Sequence, residues 1–140
     1  MTNISAAEQH ILIVEHDEVT TATYARMLRL EGYQVQTVLS AEDGLREAEE
    51  SHPDAIIADF HMPGMDGLEF LRRLRARDDT RTTPVAIITG DYFRDDTVPA
   101  QLRELGAELR FKPLWIEDLI TLVHSLLTSA TRGGSGGASA

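Results

Sequence analysis

The sequence predicts an α/β domain: a five-stranded parallel sheet of order 2-1-3-4-5 with helices on both faces. Short aliphatic runs alternate with longer amphipathic stretches from His10 to Leu127, the pattern of βα units in series. The runs Ile11-Leu12-Ile13-Val14, Ala55-Ile56-Ile57-Ala58 and Val85-Ala86-Ile87-Ile88 are apolar at every position, as strands covered on both faces are. Crossovers between parallel strands are right-handed, and a sheet of this size commonly takes that order, with a switch point between strands one and three.

Each element follows from local pattern. His10–Val14 is a short aliphatic strand closed by the charges of Glu15-His16-Asp17. Residues 18–31 carry Tyr24, Met27, Leu28 and Leu30 on roughly one helical face and stop at Gly32. Residues 33–39 alternate apolar and polar, which predicts a half-exposed or edge strand. Ser40 is placed to cap a helix with first-turn acids Glu42 and Asp43; Ala41, Leu45 and Ala48 face the core, and His52-Pro53 ends it. Ala55–Asp59 is the third strand. After the Pro63-Gly64 turn, Asp66 is an N-cap, and Leu68, Leu71 and Leu74 mark the third helix.

A polar connection over residues 78–83 leads to Pro84 and the fourth strand, ended by Thr89. Asp95-Asp96 starts a fourth helix, marked by Val98, Leu102 and Leu105 and closed by Gly106. Residues 109–111 form a fifth, short strand ended by Lys112. Trp115 is expected to pack at the start of the last helix, whose stripe is Ile116, Leu119, Ile120, Val123, Leu126 and Leu127. Residues 1–9 are an extension, 10–128 the domain, and 129–140 a flexible tail rich in Gly and Ser.

Composition excludes several classes. The 140 residues suffice for one domain, and 42% hydrophobic with 26% charged content is ordinary for a globular chain. A net charge of -10 argues against direct nucleic-acid or membrane binding. Without cysteine there is neither a disulfide framework nor a zinc–thiolate site. No apolar stretch approaches a membrane span, and residues 1–9 lack a signal pattern, so cytoplasmic residence is expected.

The chemistry gathers at strand ends. Open α/β sheets bind ligands at the carboxyl ends of their strands, beside the switch point. Strand one ends in Glu15-His16-Asp17 and strand three in Asp59, while Thr89 and Lys112 terminate strands four and five. An acid, a hydroxyl and an amine converging on one small anion predict phosphoryl transfer to Asp59. The bland alternatives are an Asp that only caps the next segment, a Thr that only forms strand and a Lys that is a surface charge. That all three fall at one sheet edge favours function. His10, His52 and His124 have no partners in sequence and are expected to be ordinary.

These residues resemble the receiver domain of two-component response regulators. The matching segments are Ile11 to Glu15, Asp59 with Met62-Pro63-Gly64-Met65-Asp66-Gly67, Thr89-Gly90 and Lys112-Pro113. The resemblance implies a flavodoxin-like (βα)5 domain and a phosphoryl group accepted on Asp59 from a sensor histidine kinase or histidine phosphotransfer protein. It implies Thr89 and Lys112 as stabilisers and no catalysis beyond the domain's own phosphorylation and dephosphorylation. The family's Mg²⁺ would be held by Glu15, Asp59 and the backbone carbonyl of His61. Output would pass to a downstream protein target, from a monomer or a weak dimer through the fourth- and fifth-helix face. The Lys-Pro bond is often cis in this family.

Two positions depart from the family pattern. His16 stands where a metal-binding aspartate is usual, and imidazole is a poor ligand for Mg²⁺. Three alternatives follow: Glu15 and Asp17 compensate and Mg²⁺ binds weakly, Mn²⁺ or another divalent ion is recruited, or a protonated His16 replaces part of the metal's charge. Leu109 occupies the usual place of a switch aromatic, and Tyr92 or Phe93 is expected to take over that role. A degenerate receiver that docks partners without phosphate is the competing function. Aspartate-nucleophile phosphatase and flavin-binding readings are disfavoured, since His61 replaces the phosphatase's second acid and Glu15 to Glu18 would repel a flavin phosphate.

Overall fold

The computed structural model describes residues 9–90 and 93–136, with 130–136 by their backbone alone. Strands and helices alternate strictly: β1 (His10–Val14), α1 (Glu18–Leu30), β2 (Gln34–Val38), α2 (Ala41–Ser51), β3 (Ala55–Asp59), α3 (Gly67–Arg75), β4 (Val85–Thr89), α4 (Thr97–Glu104), β5 (Glu108–Phe111) and α5 (Ile116–Gly136). The sheet is parallel throughout, in the expected order β2-β1-β3-β4-β5. β3 and β4 are buried at every position, whereas β2 shows the half-exposed pattern of an edge.

Because strand side chains alternate in direction, neighbours in sequence serve different cores. Leu12, Ile56 and Ile87 pack with Phe70, Leu71 and Leu74 of α3 and Leu102 of α4. Ile13, Ile57 and Ile88 pack on the other face with Leu28 of α1 and Leu119, Val123 and Leu126 of α5. Asp17, Ser40 and Asp66 cap α1, α2 and α3, their side chains accepting from the backbone N–H of Thr20, Asp43 and Glu69. Arg75 ties α3 to the end of α4, donating to the carbonyls of Leu105 at 2.7 Å and Thr83 at 2.8 Å.

Several expectations need correction. Leu30 is 71% exposed, because the buried stripe of α1 is Thr21, Ala25 and Leu28 and position 30 lies off it. Trp115 is 66% exposed rather than packed, and Ile116 is also exposed. Leu122 takes the buried place that the expected stripe of α5 gave to Ile116. That helix continues to Gly136, across residues the sequence reading assigned to a flexible tail. Residues 1–8 of the expected extension, Tyr92 and residues 137–140 lie outside the described residues. Among the described residues no helix is long and apolar enough to cross a membrane.

Candidate functional site

The carboxyl ends of β1, β3, β4 and β5 bring the site together. Asp59 is the last residue of β3 and is only 4% exposed; Glu15 follows β1 and is 3% exposed. Lys112, one residue past β5, sets its Nζ 3.1 Å from Asp59 Oδ1 and 3.3 Å from Glu15 Oε1. Its backbone N–H donates to the Thr89 carbonyl at 2.8 Å, which fixes where the lysine leaves the sheet. The Lys112–Pro113 bond is cis. Thr89 ends β4, the strand paired with β3, and is wholly buried.

His16 meets the same two acids from the other side. Its Nδ1 lies 3.4 Å from Glu15 Oε2 and 3.6 Å from Asp59 Oδ2, oxygens distinct from those facing Lys112. Asp17 turns away: its carboxylate accepts from Thr20 N–H at 2.8 Å and Thr20 Oγ1 at 2.6 Å as the cap of α1. Those bonds hold the Asp17 carboxyl below the ordinary carboxylate value. As a further acid at the cluster, Asp17 is therefore spoken for. His61 is exposed, its ring edge-on to Phe60 with centroids 5.0 Å apart.

Burial pushes Asp59 above its ordinary value and Glu15 adds to this, while Lys112 and His16 oppose it. Burial alone would lower Lys112, but its pairing with Asp59 and Glu15 outweighs that and raises it. Two adjacent buried carboxylates with one lysine between them are arranged to receive further positive charge.

Glu15, His16 and Asp59 offer ligand atoms all within 4.8 Å of one another, a group able to hold a metal ion. The two carboxylates suit Mg²⁺, which is commonly held through one or two of them; the imidazole does not, so this donor set fits Mg²⁺ only in part.

Sequence reasoning missed two supports. Thr21 is buried and its Oγ1 donates to the carbonyls of Glu15 at 3.0 Å and Asp17 at 2.8 Å, fastening the loop that carries the acids. Tyr24 joins Lys112, Gly90 and Val19 around a shallow depression of about 490 Å³. Burial raises its hydroxyl; Lys112 opposes this, and Glu15 and Asp59 add to it. Both lie one and two turns past the Asp17 cap, and that spacing on a helix is the signal that could have found them. Phe93 packs edge-on to Phe60 at 5.1 Å, tying the loop after β4 to the residue following Asp59. A larger depression of about 920 Å³, around Pro53, Arg75, Thr83 and Gly106, lies at the opposite end of the sheet, away from these groups.

Comparison with known proteins identifies the family and the fold. The family described as response regulator receiver domain matches residues 11–124, and the chain belongs to that family. The transcriptional regulatory protein PrrA of Mycobacterium leprae is 35% identical over 117 residues, covering 84% of this chain and 49% of PrrA. The TorCAD operon transcriptional regulatory protein TorR of Escherichia coli O157:H7 is 36% identical over 120 residues, covering 84% and 50%. The chain thus spans about half the length of these curated relatives. Among solved structures, the chemotaxis response regulator CheY4 of Vibrio cholerae superposes with a TM-score of 0.77 at 25% identity, covering 85% of this chain and 98% of CheY4. The receiver domain of a signal transduction histidine kinase from Syntrophus aciditrophicus gives 0.77 at 32% identity, covering 89% and 93%.

Proposed function

We propose that this domain accepts a phosphoryl group on Asp59 from the phosphohistidine of a sensor kinase or phosphotransfer protein, and signals through phosphorylation-dependent protein contacts. A carboxylate oxygen of Asp59 bonds to phosphorus as the donor's P–N bond breaks, its electron pair leaving with the imidazole. Lys112 neutralises charge growing on the equatorial oxygens, and the Thr89 hydroxyl donates to one of them. Glu15 and Asp59, with the His61 carbonyl, would hold a divalent ion that would supply further positive charge there. The contact between Lys112 and Asp59 at 3.1 Å carries the reading.

Phosphorylation then adds charge at the sheet's edge and biases a two-state equilibrium on the face formed by α4 and α5. The partners are proteins of the cytoplasm, reached from a monomer or a weak dimer through that face. The net charge of -10 disfavours direct nucleic-acid contact. Incubation with acetyl phosphate and divalent ions is expected to add one phosphoryl mass, absent from Asp59→Asn. No gain under any ion would favour a second reading, a docking module independent of phosphate. His16 against both acids, and Leu109 at the usual place of the switch aromatic, are what support it.

A further inference from the structure

We propose that the site is a mixed nitrogen–oxygen centre selecting a borderline transition dication, such as Mn²⁺, Co²⁺ or Zn²⁺, over Mg²⁺, with His16 Nδ1 as a ligand beside Glu15 and Asp59. The proposal deepens the receiver reading, since the cation it describes adjoins the phosphoacceptor.

Geometry carries it. His16 Nδ1 stands 3.4 Å from Glu15 Oε2 and 3.6 Å from Asp59 Oδ2. A dication about 2.1 Å from each donor spans donor separations of roughly 3.0–3.4 Å. The two separations from His16 are already at or near that range, and all three donors lie within 4.8 Å of one another, so small side-chain rotations close the set on an ion. The oxygens that face His16 are distinct from those that face Lys112, although Glu15 Oε2 also accepts from the Asp17 N–H at 3.0 Å, so the cation would meet the carboxylate pair at oxygens the ammonium does not use. Asp17, the neighbouring carboxylate, is held as the α1 cap and is not free to displace the imidazole. His16 is 47% exposed, which gives an ion an open approach.

Donor chemistry then sets the preference. Mg²⁺ is hard, prefers oxygen and gives up water reluctantly; imidazole suits the later first-row ions, whose affinity for such sites rises along the series from Mn²⁺. Exchanging one carboxylate for an imidazole also lowers the site's negative charge, which weakens Mg²⁺ further than it weakens ions that bond to nitrogen.

Chelator-stripped protein is titrated calorimetrically with Mg²⁺, Mn²⁺, Co²⁺ and Zn²⁺, and the Mn²⁺ complex is examined by pulsed electron paramagnetic resonance for coupling to a directly bound ¹⁴N. Each transition ion is expected to bind about tenfold or more tighter than Mg²⁺. The ¹⁴N coupling should be present in the native chain and lost in His16→Asp, whose preference moves back toward Mg²⁺. Equal or tighter Mg²⁺ binding overturns the proposal, as does coupling that survives His16→Asp. Thermal melting of the variant separates misfolding from ligand loss, and His16→Asn gives a second variant that removes the nitrogen ligand without adding charge. The acetyl phosphate mass gain is scored separately. Selectivity can fail while that gain stands, which leaves the receiver reading intact; selectivity without any gain sinks that reading and leaves the metal centre.

Discussion

With 4% of its surface exposed and the Glu15 carboxylate beside it, Asp59 keeps its proton to higher pH than an ordinary aspartate, although Lys112 and His16 pull the other way. The folded state therefore binds more protons than the unfolded one in the window above the ordinary value of 3.8, and stability falls as pH rises through it. The full penalty is present once pH exceeds the raised value. Asp59→Asn copies the shape of the neutral acid and removes that penalty, so in chelator near pH 7 it should melt a few degrees higher than the native chain. The advantage should shrink as pH falls toward the ordinary value, where Asp59 is itself protonated. Melting curves followed by circular dichroism at several pH values check this; a lower melting temperature for the variant at neutral pH would contradict it. The sequence already marks Asp59, Thr89 and Lys112, because each is a polar residue ending an apolar run. It does not reveal that Asp17 is taken by its cap or that His16 spans both acids. Three adjacent polar residues look alike until the turn into α1 decides which way each points.

Among the elements, α3 begins hard against the end of β3, the strand that closes on Asp59. Gly67 opens α3 and donates its N–H to the Phe60 carbonyl at 2.7 Å. A Cβ at that position would stand 2.9 Å from Phe60 Cα and 3.3 Å from the Asp59 carbonyl, and both neighbours are backbone that cannot swing aside. Gly67→Ala gains some helix propensity but must push the end of β3, for a net loss of about 1–2 kcal/mol. Urea unfolding measures it, and an unchanged or raised midpoint would mean that β3 yields freely. The strands are legible because runs apolar at every residue can only be central strands of a covered sheet. Helix faces are less so. Thr21 is buried through its hydroxyl bonds to the carbonyls of Glu15 and Asp17, which hydrophobic spacing does not register. Trp115 and Leu30 show the reverse case, large apolar side chains that tertiary geometry leaves in solvent.

On the scale of the whole domain, two cores share one sheet. Ile87 on β4 belongs to the core under α3 and α4; Ile13 on β1 belongs to the core under α1 and α5. The strand between them, β3, contributes Ile56 to the first and Ile57 to the second, so neither core can dissolve without exposing the other's floor. Such a molecule should unfold as a single cooperative unit. Ile13→Val and Ile87→Val each remove one methylene from a wholly buried site and should each cost about 0.5–1.5 kcal/mol. The two sites are two strand spacings apart, about 10 Å, and pack against different helices, so the double variant should lose the sum of the two within about 0.5 kcal/mol. Denaturant unfolding followed by far-ultraviolet circular dichroism and by Trp115 fluorescence should give coincident midpoints and an unchanged slope in all three variants. Separate transitions would mean that the faces are independently stable, and that a change at the Asp59 end of the sheet could reach one face without being felt by the other.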